Sequence, residues 1–299
     1  MEKIKNIPSS CILAVDIETV RIEENFKDLS PIMKEAWGYK HKQDGIIPSE
    51  EELSDLWTRT SSLYPEFSKI CAISLSFLSK DRLKCKSYAS TDEEIILTTF
   101  AEDLEKFQKA NPNFRLLGHA ALYFDYPFMA KRYIINQLPI PKILDSSNLK
   151  PWEQTNLDTN ELYKGFGTGP GSSLQALCAV LSIQSPKVDL VGDEVGKAYY
   201  AGEIARIGTY CNYDVVATFN VFRRFKYEPI FDFEDVEYVN KGEVLTAVPL
   251  MDLVKANGYI TENQISKLRR ILFGASDKEK ENARKLVEIA TNQPFNVEL

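Results

Sequence analysis

Histidine is nearly absent from this sequence: of 299 residues only His41 and His119 carry an imidazole. Neither lies near a recognisable nucleophile motif, which argues against serine or cysteine chemistry activated by histidine. Cysteine is sparse as well. The five cysteines (Cys11, Cys71, Cys85, Cys178 and Cys211) are scattered without a CxxC pair. That spacing speaks against a thiol–metal site or a disulfide framework, and for reduced, buried thiols in a cytoplasmic protein. Long apolar runs are missing; the stretch from Cys11 to Val15 is too short for a signal-peptide core, and nothing approaches a membrane span. Positive charge is not in excess either. A formal net charge of -7 counts against a passive, electrostatic nucleic-acid coat. It leaves open a site that concentrates carboxylates, where bound cations would reverse the local field. No internal repeat or low-complexity tract is found.

What is present is ordinary globular material: 44% hydrophobic and 26% charged residues, enough to build a substantial core. Cys11 to Ile17 reads as a buried strand. Two helical stretches follow, around Pro31 to Tyr39 and from Ser49 to Leu63, the second opened by a serine cap and first-turn acids. Lys69 to Leu78 is β-rich, with Arg82 to Ala89 as its hairpin partner. Thr91 to Lys109 forms an amphipathic helix stopped by Asn111-Pro112. Phe114 to His119 is a strand, Tyr126 to Asn136 a helix, Pro139 to Trp152 a loop and Asn156 to Thr159 a short strand. A glycine-rich loop at Gly165 to Gly171 leads into helices at Ser172 to Leu181 and Glu203 to Phe225. This order suits an α/β fold of ribonuclease-H-like type, a mixed β-sheet flanked by helices, better than a regularly alternating doubly wound one. From about Glu228 the chain turns acidic and aromatic, and helices are expected at Thr261 to Phe273 and Ser276 to Ala290. The expected division is a domain over 1–228 and a helical C-terminal extension over 229–299.

Three segments carry candidate chemistry. Asp16-Ile17-Glu18 ends the first strand, and residues two apart on a strand share a face, so both carboxylates project together as hard ligands for Mg²⁺ or Mn²⁺. An isolated DxE is more often a strand running into a solvated acidic turn. Asp125, in Gly118-His119-Ala120-Ala121-Leu122-Tyr123-Phe124-Asp125-Tyr126-Pro127, stands where a helix begins; taken alone it reads as an N-cap. His119 alone reads as a hydrogen-bonded structural residue. In Tyr210-Cys211-Asn212-Tyr213-Asp214, Tyr210 and Asp214 lie one turn apart on a helix, and singly they suit an amphipathic helix with packed tyrosines. Together, in this order, the segments supply four carboxylates and a tyrosine.

That combination resembles the DEDD superfamily of 3′-5′ exonucleases, whose motifs read DxE, a later Asp after a Phe, and YxxxD. Tyr210, four residues before the last Asp, matches the tyrosine subclass; the histidine subclass would carry His where Thr209 stands. The stretches LYPEFSKICAIS, YFDYPFMAKRYIINQLPIPKILD, KPWEQTNLDT, SPKVDLVGDEVGKAYY and YCNYDVVATFNVFRRF are similar to the predicted stand-alone exonucleases related to the proofreading domain of family-B DNA polymerases, over roughly residues 10 to 228. Sequences of that kind usually carry Asn after the Gly-His, where this chain has Ala120, a departure that bears on the substrate and leaves the ligands intact.

The resemblance implies a two-cation mechanism on single-stranded DNA, with RNA as a second possibility. Asp16 would bridge two divalent ions, Glu18 and Asp214 would complete one site, Asp125 would help hold the other, and Tyr210 would orient the attacking water. Ile17, Thr19, His119, Phe124 and Lys187 are the expected substrate contacts. Lys131 and Arg132 join Lys187 as candidates to track phosphates, although plain surface solubility explains each equally well. Proofreading in trans, repair and nucleotide recycling are all compatible with such an activity. Two competing readings are a catalytically silent nucleic-acid-binding module and a scaffold whose C-terminal helices bind a protein partner.

Overall fold

The structure, a computed structural model, describes residues 2–150, 153–165, 169–239 and 244–245. A short helix α1 (Glu2–Lys5) precedes β1 (Ile12–Arg21), β2 (Ser68–Ser79) and β3 (Arg82–Ala89), which pair antiparallel in chain order. Helix α4 (Glu93–Ala110) then carries the chain across to β4 (Arg115–Gly118), which lies parallel to β1 on its other side. Helix α5 (Asp125–Ile135) leads to β5 (Leu157–Asp158), parallel to β4, and β6 (Glu237–Tyr238) closes the far edge on β3. The sheet order is β5-β4-β1-β2-β3-β6. This mixed six-stranded sheet flanked by helices is the ribonuclease-H-like arrangement expected from the order of elements.

β1 is central, and that explains its sequence. Ile12, Leu13, Ala14 and Val15 are all buried because both faces of the strand are covered, so the run is continuous and does not alternate. Leu13, Val15 and Ile17 pack with Ile96, Phe100, Met129 and Tyr133 of α4 and α5. Ile12 and Ala14 pack with Val215, Phe219 and Phe222 of α9 (Ile204–Phe225). By the two-residue period of a strand, Asp16 and Glu18 therefore fall on the α9 face.

Between β1 and β2 the chain inserts α2 (Pro31–Lys40) and α3 (Glu50–Thr60). The serine cap expected at Ser49 is formed, and with Glu52 it makes a full capping box. This pair has its own aromatic core of Phe26, Trp37, Trp57 and Phe67, in which the Trp37 indole N–H donates to the Leu53 carbonyl and that of Trp57 to Glu23.

Several elements differ from expectation. α6 (Thr159–Lys164) and α8 (Val195–Tyr200) were not foreseen, whereas α7 (Leu174–Val180) was. The acidic stretch after Glu228 returns to the sheet: Phe233 and Val236 are buried in the same core as α9, and Glu237 pairs with Lys84. The helices expected at Thr261 to Phe273 and Ser276 to Ala290 lie outside the described residues. Arg132 needs correction as a phosphate-tracking candidate. Its guanidinium is buried against the Glu93 carboxylate and donates to the Pro65 carbonyl, so it fastens α5 to α4 and to the loop before β2. Among the described residues no helix is long and apolar enough to cross a membrane.

Candidate active site

Asp16 stands opposite Ser74 and Glu18 opposite Ala72 in the β1–β2 ladder, and a bulge follows between Glu18 and Thr19. The bulge shifts the register just past the acids, and pairing then resumes from Thr19 to Arg21; such bulges are a common device for re-aiming side chains. Across this face runs α9. At Gly208 an added Cβ would come within 3.0 Å of the Ala89 side chain, so the glycine lets the helix lie close to the sheet and brings its next turn over Asp16. There the Cys211 sulfur sits 3.4 Å from the Asp16 carbonyl oxygen and 3.5 Å from Asp16 Oδ2.

Asp125 reaches the acids from beyond the end of β4. Because β4 pairs with β1 only from Ile12 to Ala14, the Ile17 amide has no β4 partner, and it donates to Asp125 Oδ1 at 3.2 Å. Asp125, only 5% exposed, opens α5. The turn that delivers it is tightly specified. A Cβ at Gly118 would meet that of Ala121 at 2.2 Å, so only glycine fits. Ala120 follows in the left-handed region at φ 61°, which costs a non-glycine residue about 1 kcal/mol. The Asp158 carboxylate holds this strained turn by accepting from the Ala120 and Leu122 amides at 3.0 Å, while also capping α6 through the Asn160 amide at 2.8 Å.

Asp214 comes from α9 and is 6% exposed. Its Oδ2 accepts from the Lys187 ammonium at 3.3 Å, whereas its Oδ1 is buried without a hydrogen-bond partner among the described residues. The same ammonium contacts the Tyr210 hydroxyl and lies 4.3 Å from the centre of that ring. Lys187, Tyr210 and Asp214 thus form one polar triangle beside the β1 acids.

Electrostatics set the character of the cluster. Burial, then the charges of Asp214, Asp125 and Glu18, hold the Asp16 carboxyl well above the ordinary range; burial and Asp214 do the same to Glu18. Burial pushes Asp125 up to about 7 despite the Ile17 amide. Asp214 is raised by burial too, against the pull of Lys187 and Tyr210. Tyr210 is driven up by burial and by Asp214, Glu18 and Asp16. Four carboxyls facing one ammonium resist ionising together without further positive charge. Hard oxygen donors from three separate elements, one of them buried and unpartnered, fit divalent cations of the Mg²⁺ and Mn²⁺ type.

Of the other residues singled out from sequence, Lys187 joins the site. Ile17 contributes its amide, with its side chain in the core. The Thr19 hydroxyl donates to the Ser62 carbonyl and ties the α2–α3 insertion to β1. Phe124 is half-buried against Phe128, and Lys131 is exposed on α5. The His119 ring is committed elsewhere: Nε2 faces the Ser172 carbonyl and Nδ1 the Thr159 hydroxyl, both at 2.8 Å, and burial lowers its pKa. Three residues escaped the sequence reading. Asp158 was detectable as a helix cap, since Asp-Thr-Asn-Glu is an N-terminal capping pattern. Tyr123, 74% exposed beside Phe124 and Asp125, carried no periodic signal. Cys211 was hidden by its placement between the two motif residues of α9.

Comparison with known proteins follows this geometry. No curated protein matches the chain. A family B DNA polymerase from the hyperthermophilic archaeon Pyrobaculum calidifontis is similar in structure at 14% identity and a TM-score of 0.44, over 72% of this chain. The chain corresponds to 24% of that polymerase's length. A family model matches residues 61–249, a span that holds Asp125, Lys187, Tyr210 and Asp214 and begins after the Asp16–Glu18 pair that the fold brings to them. More than half of the sequence lies within the match, and the chain belongs to the family of predicted 3′-5′ exonucleases related to the exonuclease domain of PolB.

Proposed function

We propose that the protein removes nucleotides one at a time from the 3′ end of single-stranded nucleic acid, DNA in preference to RNA. Asp16, Glu18, Asp125 and Asp214 would hold two divalent cations, Mg²⁺ or Mn²⁺. When bound, such ions neutralise charge on the phosphate and lower the pKa of water. The observation that carries this reading is the convergence of four carboxyls from β1, α5 and α9, with the Tyr210 hydroxyl beside Asp214.

The net reaction is hydrolysis. A water oxygen forms a bond to phosphorus, the bond from phosphorus to the 3′ oxygen of the penultimate sugar breaks, and that oxygen takes a proton. A nucleoside 5′-monophosphate leaves and a new 3′ hydroxyl remains. Tyr210 keeps its proton at neutral pH, since its surroundings oppose ionisation, so its role is to orient water by hydrogen bonding and not to abstract a proton. Lys187 holds both the hydroxyl and the Asp214 carboxylate, which fixes their mutual geometry. Tyr123 and Phe124, immediately before Asp125, offer aromatic faces on which a base of the strand can stack.

The test is incubation with Mn²⁺ and a strand labelled at its 5′ end. A ladder shortening from the 3′ end is expected, lost with Asp214→Ala or a 3′-blocked strand, slower on matched RNA, and reduced about 10²-fold by Tyr210→Phe, the loss typical of removing one positioned hydrogen-bond donor. If neither DNA nor RNA is shortened with any divalent cation, the reading fails.

A further inference from the structure

Lys187 reaches the site from a loop, and whatever fixes that loop decides where its ammonium lies. The two ends of the loop are anchored in the core, Ile183 and Leu190 both being buried. Between them the chain passes α9 without close packing: a cavity of about 250 Å³ is lined by Pro186 and Asp189 of the loop and by Thr209, Tyr210 and Tyr213 of the helix. Two of the loop's own bonds are to other places, the Ser185 hydroxyl accepting from the Lys187 amide at 3.2 Å and the Gln184 side chain from the Phe233 amide at 3.3 Å. Arg206 makes the connection to α9. Its Nε donates to Asp189 Oδ2 at 2.6 Å, and its Nη2 donates to Asp189 Oδ1 at 3.2 Å and to the Asp189 carbonyl at 2.9 Å. A fork on a carboxylate that also grips the main chain fixes orientation as well as distance. Nη1 is used within the helix end, donating to Glu203 at 2.7 Å.

A cation in the first turn of α9 opposes the helix dipole, so the helix itself gives no reason for an arginine there. Its spacing does. Arg206, Tyr210 and Asp214 follow one another at four-residue intervals and share one face of α9. The loop meets that face twice, with Asp189 on Arg206 and with Lys187 on Tyr210 and Asp214. We infer that Arg206 is a positioning residue for the proposed hydrolysis: through Asp189 it sets the loop that places the Lys187 ammonium on the Tyr210 hydroxyl and the Asp214 carboxylate. The inference rests on the exonuclease reading, in which those two groups act at the scissile phosphate. The side chains of Asp189 and Arg206 are 67% and 38% exposed, and pairs so open to solvent add little to stability. The contribution of this pair is therefore to geometry.

Lys187→Ala, Arg206→Ala and the double variant, made in the full chain, form the test, read by Mn²⁺-dependent strand shortening, thermal melts and amide hydrogen exchange. Arg206→Ala should lower kcat about 10-fold with KM nearly unchanged, as when groups that act in the reaction are displaced. Its melting temperature should stay near that of the wild type. Asp189→Ala should match it, and Arg206→Lys, which keeps the charge but not the fork, should fall between. The deciding readout is the cycle: added to Lys187→Ala, the loss of Arg206 should cost nothing further, because the two act as one unit. Exchange of the amides over 184–191 should be faster in Arg206→Ala than in the wild type. Losses that add in the double variant, or unchanged exchange in that segment, overturn the inference and leave the exonuclease reading intact. A wild-type protein that shortens no strand sinks the exonuclease reading instead, and exchange then decides on its own whether Arg206 holds the loop.

Discussion

Asp125 shows how a single buried carboxyl would couple the proposed metal binding to stability. Its pKa in the folded protein is about 7, against about 3.9 in an unfolded chain. A carboxyl raised in this way prefers to be protonated in the folded state. Its contribution to stability is full below the unfolded value and is lost as pH rises through about 7. Asp16, Glu18 and Asp214 are shifted in the same direction. A divalent cation requires ionised carboxylates and so competes with these protons. Mn²⁺ should therefore raise the melting temperature more at pH 8 than at pH 5.5, as thermal melts at matched ionic strength would record. An equal gain at both values would mean that these carboxyls do not bind the ion. At this scale the sequence was informative in combination only. Asp16, Glu18, Asp125 and Asp214 each had an ordinary structural explanation, and their order along the chain raised them above it. His119, taken alone, read as a hydrogen-bonded structural residue, and its ring is so engaged; the identity of its partners, Thr159 and Ser172, 40 and 53 residues away, is what no local pattern reports.

At the scale of elements, Arg132 separates burial from surface chemistry. Next to Lys131 it looks like part of a basic pair, but Phe128, Met129, Arg132 and Tyr133 repeat at helical spacing and all four are buried. The apolar stripe of α5 includes the arginine, a sign that the period assigns it to the core side. Its partner Glu93 also accepts from the Ile70 amide at 2.7 Å and from Asn136 at 2.9 Å. Removing Arg132 leaves that carboxylate buried without its cation. Arg132→Ala should cost about 3–5 kcal/mol in stability, read from urea unfolding, while activity per folded molecule stays near wild type. A normal unfolding midpoint combined with weakened strand binding would restore the phosphate-tracking role. Long elements with clear caps, such as α3 behind Ser49 and α4 behind Asp92, were legible because local chemistry and burial agree there. α6 and α8 have six residues each, too few for a 3.6-residue period to stand out.

For the molecule as a whole, the informative segment is the one that changes character after Glu228. Its acidic, aromatic composition suggested a departure from the core, yet composition cannot reveal that two residues of β6 complete a sheet edge. Phe233 stacks on Tyr213 of α9 with ring centres 5.1 Å apart, and Asn220 of the same helix exchanges hydrogen bonds with Phe231 in both directions. Farther on, the Leu245 amide donates to the Ala89 carbonyl at 2.8 Å and the Leu245 carbonyl accepts from Ser90. These contacts act on the helix that carries Tyr210 and Asp214 and on the strand beneath it. Burying Phe233 and Val236 stabilises the fold by roughly 1.5–3 kcal/mol each, a large share of the 5–15 kcal/mol typical of a domain. A chain ended after Glu228 should therefore lose both cooperative unfolding and Mn²⁺-dependent strand shortening. One ended after Leu245 should retain both, since it keeps every contact named here. Calorimetry and the labelled-strand assay on the two truncations would decide it: full activity in the shorter chain would show that the segment from 229 to 245 is dispensable to α9.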